Sequence, residues 1–148
     1  METLFKKHNR LLALTPTDII REMMNQVNWE APMIAIRGPR GVGKSTLLLQ
    51  YIKTHYEPYS REVLYCQMDS VYFSSHTLLD LAERFYQQGG QRLLLDEVHR
   101  RGGRGLYAVI GAQLSAAHHH RRFDFDERVL AQGCALLLLS LTGSAMPA

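Results

Sequence analysis

The sequence has few cysteines and no long apolar segment. Two cysteines, Cys66 and Cys134, occur among 148 residues, too few for a disulfide framework, so we expect a reduced, intracellular protein. The longest apolar run, residues 134–141, falls far short of the roughly 18 residues of a membrane span. The N-terminal segment lacks the uninterrupted apolar core of a signal peptide. These absences predict a cytoplasmic protein without a membrane partner.

A strong charge imbalance is also missing. The formal net charge is +3, which permits a polyanionic partner without requiring one. An apolar fraction of 46% is enough for a packed core and excludes a wholly disordered chain. The length corresponds to one domain or to part of one.

Strand and helix patterns alternate along the first two-thirds of the chain. Short apolar runs predict strands, and segments with helical spacing or capping signals predict helices. This order predicts an α/β fold with a parallel sheet and crossover helices. We expect strands at residues 33–37, 62–69 and 91–97, and helices at residues 15–29, 44–56 and 74–90.

Two of these helices carry specific boundary signals. The first has Thr15 or Thr17 as its cap, and its apolar stripe is expected at Ile19, Ile20, Met23, Met24 and Val27. The third is expected to begin at a serine cap, Ser74 or Ser75, and to stop at Gly89.

A glycine-rich loop follows the first predicted strand and opens the second predicted helix. Its sequence fits the pattern G-x-x-x-x-G-K-[ST] at every fixed position. Glycines let backbone N–H groups surround phosphates, and the helix N-terminus adds positive charge. The lysine reaches the β- and γ-phosphates and the serine hydroxyl faces Mg²⁺. The predicted nucleotide-binding residues are Gly38, Pro39, Arg40, Gly41, Val42, Gly43, Lys44, Ser45 and Thr46.

An apolar strand ending in two carboxylates is the expected partner of such a loop. Leu93–Leu94–Leu95 leads directly into Asp96 and Glu97. Asp96 is expected to hold Mg²⁺ together with Ser45, and Glu97 to orient and activate the attacking water. The sequence therefore predicts a P-loop NTPase core.

These motifs, with the segment between them, resemble the AAA-type ATP-binding proteins of bacteria. The likeness covers residues 3–99 and is closest to the group in which an ATPase domain precedes a C-terminal domain of uncertain function. It implies ATP as the nucleotide, Mg²⁺ as the cofactor, and Mg-dependent ATP hydrolysis. We therefore treat residues 1–99 as the N-terminal part of an AAA-type domain and residues 100–148 as an atypical tail.

The tail departs from the family's pattern. The resemblance implies a further strand ending in a γ-phosphate sensor, then an arginine region, and neither is identifiable after His99. One hypothesis is a frameshift or truncation after about Arg100. With permitted codons, dropping the first base of residues 118–126 gives Ile-Ile-Thr-Gly-Gly-Ser-Ile-Leu, a strand with a sensor-like turn.

An in-frame alternative is that residues 135–145 form the missing strand, with Thr142 as the sensor. Thr142 lies 46 positions after Asp96, well beyond the family's interval. The resemblance places this strand between the phosphate-loop strand and the acidic strand. Unless the tail fills that place, buried backbone groups stay unpaired at about 1–3 kcal/mol each, and the fold is incomplete.

Two other interpretations of the tail are weaker. The segment Arg100–Gly105 resembles an RNA-binding arginine–glycine motif but occurs once. The triple histidine at residues 118–120 suggests a metal site, yet adjacent side chains do not converge on one ion without strain. Three functional hypotheses therefore stay open: an active ATPase, a non-hydrolysing nucleotide-binding fragment, and an inactive truncated product. The protein partner is unknown, and a nucleic-acid partner is weakly supported.

Overall fold

The computed structural model describes residues 1–31, 33–39 and 41–98, together with the backbone of residues 135–140. A 3₁₀ turn, Val71–Ser74, lies between the strand Val63–Gln67 and the helix Leu78–Gln87. In chain order the other elements are α1 (Glu2–Leu14), α2 (Met23–Gln26), β1 (Met33–Arg37), α3 (Lys44–His55), β2 (Val63–Gln67), α4 (Leu78–Gln87), β3 (Arg92–Asp96) and β4 (Ala135–Ser140).

The strands form one sheet in the order β1-β4-β3-β2. β2 and β3 are parallel, whereas β4 is antiparallel to both β1 and β3. β1, β2 and β3 therefore share one direction, which confirms the predicted α/β core. The parallel pair β2–β3 fits the predicted parallel sheet, whereas β4 adds two antiparallel pairs that the sequence did not predict. An apolar run indicates a buried strand but not its direction, because ladders form either way.

β4 occupies the position between the phosphate-loop strand and the acidic strand. Its register pairs Ala135 with Arg37 at one end and Ser140 with Arg92 at the other. The backbone groups on the facing edges of β1 and β3 are thereby paired, as buried backbone groups require. The carboxyl end of β4 lies at the edge opposite the phosphate loop. Thr142, the predicted sensor, lies outside the described residues.

Alternate residues of the strands pack on opposite faces of the sheet, as the two-residue period of a strand dictates. On one face, β2 and β3 residues pack with α4; on the other, they pack with α3. The first group includes Leu64, Cys66, Leu93, Leu95, Leu81 and Phe85. The second includes Tyr65, Leu94, Leu47, Leu48 and Ile52.

Helix α1 covers the outer edge of β2 and was not predicted. Its apolar residues Leu4 and Phe5 join the α4 side of the core, and Leu11 and Leu12 pack against the α3 side. His8 is buried between them. These residues follow helical spacing, so the signal was present in the sequence.

The segment after α1 corrects the predicted helix at residues 15–29. Only Met23–Gln26 is helical there, and Ile19 of the predicted apolar stripe is 83% exposed. Thr15 ends α1 instead of capping a new helix, and its hydroxyl donates to the Leu11 carbonyl at 2.7 Å. Side chains of helix α3 provide the physical reason. Gln50 donates to the carbonyls of Pro16 and Ile19, and Lys53 donates to the carbonyl of Thr15. In a helix, these carbonyls would instead accept from backbone N–H groups four residues later.

Helix α4 begins later than predicted. Thr77 is the cap, not Ser74 or Ser75, and it forms a reciprocal capping box with Asp80. Ser74 instead closes the 3₁₀ turn. The predicted stop is confirmed, since the helix ends at Gln87 and Gly89 has a φ of +88°.

Candidate functional site

The phosphate loop lies between β1 and α3, as the motif predicts. Gly41 and Gly43 have φ angles of +82° and +85°, a region that side-chain-bearing residues rarely adopt. Gly43 directly precedes the first residue of α3, so the loop delivers the chain to the positive end of a helix of 12 residues. Arg40 lies outside the described residues.

Lys44 folds back over its own loop. Its Nζ donates to the carbonyls of Gly38 at 2.8 Å and Pro39 at 2.6 Å. An ammonium group has three donors, so these two bonds leave one for a phosphate oxygen. These two bonds hold the lysine at the mouth of the loop.

Ser45 and Asp96 are in direct contact, although 51 positions separate them in the sequence. The Ser45 hydroxyl donates to Asp96 Oδ2. The Glu97 backbone N–H donates to Asp96 Oδ1 at 2.7 Å, and the Met68 N–H donates to the Asp96 carbonyl at 2.9 Å. The predicted magnesium pair therefore meets at the carboxyl edge of the parallel strands, where ligands of such sheets bind.

Tyr65 completes this cluster and was not predicted. Its hydroxyl donates to Asp96 Oδ2 at 2.5 Å from the neighbouring strand β2. Burial, with the adjacent Asp96 charge, raises the pKa of the Tyr65 phenol, so the hydroxyl stays protonated and remains a donor.

Glu97 follows Asp96 at the end of β3 and is half-buried. Its φ of +56° is uncommon for a residue other than glycine, and such conformations concentrate at functional sites. Asp96 is the last residue of β3 and accepts from the Ser45 and Tyr65 hydroxyls, whereas Glu97 lies just beyond the strand. Their division of roles, Asp96 for the metal and Glu97 for the base, stays a prediction.

A cavity of about 370 Å³ adjoins the phosphate loop. Such a volume is within the usual range of small-molecule sites. The cavity is lined by Arg21, Glu22, Met23, Ile36, Arg37, Val42, Gly43, Lys44 and Leu47.

Thr46, the last predicted nucleotide-binding residue, lies on the first turn of α3 and is half-buried.

The oxygen atoms of Ser45 and Asp96 suit Mg²⁺, which prefers carboxylate and hydroxyl ligands over nitrogen or sulfur. Among the described residues, no group of three or more His, Cys, Asp or Glu residues is placed to hold a metal ion. Burial raises the pKa of the Cys66 thiol to about 12, so it behaves as an apolar core group. The triple histidine lies outside the described residues.

Comparison with known families identifies the fold. The model of the AAA domain matches residues 30–143. This chain belongs to the AAA-domain family. Nucleotide binding and ATPase activity are therefore the general properties of its fold, and the match extends across most of the atypical tail. No solved structure matches the chain. None of the described helices has the length and apolarity needed to cross a membrane.

Two curated bacterial proteins also share sequence with the chain. It is 31% identical over 116 residues to one of the subunits of the p-aminobenzoyl-glutamate hydrolase of Escherichia coli (strain K12), covering 74% of this chain and 26% of that protein. It is 42% identical over 55 residues to the indole-3-acetyl-aspartic acid hydrolase of Enterobacter agglomerans, covering 37% of this chain and 12% of that protein. The chain thus spans about a quarter or less of these relatives.

Proposed function

We propose that this AAA domain binds ATP with Mg²⁺ and hydrolyses it. The hydrogen bond between Ser45 of the phosphate loop and Asp96 of the acidic strand is the observation that carries the proposal. It joins the two halves of a nucleotide site that are far apart in the sequence. Mg²⁺, when bound at these oxygens, would neutralise charge on the phosphates.

The residues of the loop supply the phosphate contacts. Lys44 keeps one donor for a phosphate oxygen, and the backbone from Gly41 to Gly43 opens N–H groups toward the ligand. Helix α3 adds the positive end of its dipole. Glu97 would accept a proton from the attacking water, which is the general-base role. Binding and hydrolysis therefore depend on different residues and can be separated by mutation.

The alternative is a nucleotide-binding module with little turnover. No γ-phosphate sensor or arginine finger is identifiable among the described residues, and Thr142 lies outside them. The side chains and backbone groups of the described site suit phosphates, so the site gives no support for the substrates of the two hydrolases. The third hypothesis, an inactive truncated product, predicts no binding at all. A cytoplasmic location and a nucleic-acid partner, for which the sequence gives only weak support, also stay predictions.

Lys44→Ala tests binding. We expect ATP affinity, measured by isothermal titration calorimetry, to fall by about 100-fold, because a charge-assisted contact to phosphate is lost. Lys6→Ala is the matched control, since Lys6 is an exposed residue of α1 outside the phosphate loop. Equal affinities for the two variants would contradict the proposal.

Glu97→Gln tests hydrolysis. It keeps the size of the side chain and removes the base, so ATP should stay bound while phosphate release slows by 10²-fold or more, roughly the contribution of a positioned base. If wild type and Glu97→Gln both bind ATP and release phosphate equally slowly, the non-hydrolysing alternative is favoured.

A further inference from the structure

Arg21 lies directly over the end of the phosphate loop. A Cβ built on Gly43 would collide with the Arg21 guanidinium, lying 2.5 Å from its Cζ and 2.9 Å from its Nε. The positive φ of Gly43 favours glycine at this position, and the absence of a side chain leaves room for the guanidinium to lie against the loop backbone. Arg21 was not among the predicted site residues, because it precedes β1 and belongs to no phosphate-loop motif.

The backbone that carries Arg21 is fixed by helix α3. Gln50, a buried residue, donates to the carbonyls of Pro16 at 3.0 Å and Ile19 at 2.9 Å. Lys53 donates to the carbonyl of Thr15 at 2.8 Å. The same helix begins at the phosphate loop, so α3 holds both the loop and the backbone up to Ile19, two residues before Arg21. Such support is what a precise ligand contact requires.

The charge of Arg21 has no acidic partner within the described part of the chain. The ion pairs found there involve Arg61 with Glu2 and Arg92 with Glu30. Arg21 instead lines the 370 Å³ cavity together with Gly43 and Lys44. Three cationic residues, Arg21, Arg37 and Lys44, thus line this space near the N-terminus of α3, against one acidic residue, Glu22. The excess of positive charge favours an anion as the ligand.

We propose that Arg21 is a nucleotide-binding residue that contacts the phosphate groups at the Gly43 end of the loop. The inference rests on the proposed function and extends it by a residue outside the sequence motif. A guanidinium offers five donors in a planar fork that matches phosphate geometry. Arg21 therefore complements Lys44 by holding the phosphates from the side of α2.

Arg21→Ala provides the test, with ATP, ADP and adenosine as the titrated ligands. We expect the affinities for ATP and ADP to fall by about ten-fold or more, as for a lost hydrogen bond to a charged group. Adenosine affinity should be unchanged, since it has no phosphate. Arg21→Lys should retain part of the phosphate affinity because it keeps the charge but not the fork.

Arg84→Ala is the control for loss of charge alone. Arg84 is an exposed residue of α4, on the face of the sheet opposite α3. If wild type binds ATP and Arg21→Ala binds it equally well or better, or if adenosine binding falls as much as ATP binding, this inference is overturned while the proposed function stands. A wild-type chain that binds no nucleotide overturns both.

Discussion

Asp96 is held by donors from different parts of the fold. Ser45 comes from α3, Tyr65 from β2, and the third donor is the backbone N–H of Glu97. Bonds to both oxygens fix the orientation of the carboxylate, which is 4% exposed. A metal site needs such support, because ligands that rotate freely lose affinity.

Tyr65→Phe should weaken the response to magnesium more than the binding of ATP. The substitution removes the hydroxyl donor to Asp96 but keeps the ring in the core, so we expect the half-saturating Mg²⁺ concentration for ATP hydrolysis to rise about 10-fold, at the lower end of losses for residues that orient ligands. ATP affinity without Mg²⁺ should change little. Magnesium titration of phosphate release is the measurement.

Tyr86→Phe is the matched control, since Tyr86 is an exposed residue of α4. If Tyr65→Phe has the same magnesium dependence as this control and as wild type, Tyr65 is merely a core residue. A fall in stability without a change in magnesium response would support the same conclusion.

Motif residues were predictable from the sequence, and their supporting residues were not. Ser45, Asp96 and Glu97 occupy fixed positions in local patterns whose chemistry is known. Tyr65 and Arg21 act through distances that only the folded chain creates, across 31 positions for Tyr65 and Asp96. Nothing in the local spacing of either residue distinguishes it from an ordinary core tyrosine or surface arginine.

At the scale of elements, α1 seals the open edge of the sheet. β2 pairs with β3 on one side, and on the other side the Tyr65 N–H donates to Nδ1 of His8 at 3.0 Å. The imidazole must be neutral to accept this bond. Burial lowers the pKa of His8 to about 4 from its ordinary 6.5. The edge strand is therefore protected by a group that titrates.

Stability should fall as the pH drops from about 6.5 toward 4. In that window the unfolded chain binds a proton at His8 and the folded chain does not, so acid favours unfolding. The expected loss is about 2 kcal/mol at pH 5 relative to pH 7.5. Urea unfolding followed by circular dichroism at both pH values measures it.

His8→Gln is the control because glutamine keeps an acceptor and does not titrate. The difference between wild type and His8→Gln should therefore shrink at low pH. Parallel pH profiles for the two proteins would show that His8 does not titrate in this window.

Elements next to the phosphate loop were predicted well because local signals agree with the fold. β1 has the predicted bounds. The observed ends of α3 and β3 differ from their predicted ends by at most one residue. The segment at residues 15–22 failed because Gln50 and Lys53 of another helix bond its carbonyls. Periodicity measures only a local preference, and tertiary hydrogen bonds override it.

For the whole molecule, the tail decides whether the sheet is continuous. β4 comes from the segment that departs from the family's pattern, yet it separates β1 from β3. The AAA-domain match also includes residues 100–143 as they are translated. The frameshift hypothesis and the division of the chain at residue 99 stay predictions. Translating the coding DNA in all three frames would distinguish an in-frame tail from an out-of-frame one.

The central place of β4 is open to a direct test with Leu138→Pro. Leu138 pairs with Ile34 on one side and with Leu94 on the other. Proline removes the backbone N–H and is excluded from central strands, so we expect a loss of about 3 kcal/mol in the free energy of unfolding, the upper end of the cost of leaving a buried acceptor unpaired. That is a large fraction of the roughly 5–15 kcal/mol of a typical domain, so the variant should unfold at a much lower urea concentration than wild type.

Leu138→Val separates the backbone effect from the side-chain effect, because valine keeps the N–H and favours strands. It should lose about 1 kcal/mol at most, because the two side chains differ by one methylene group. Urea midpoints for the three proteins then order as wild type, Leu138→Val and Leu138→Pro. If Leu138→Pro unfolds at the wild-type midpoint, β4 does not bridge β1 and β3 in solution. The nucleotide site would then lack the strand that holds its two halves in register.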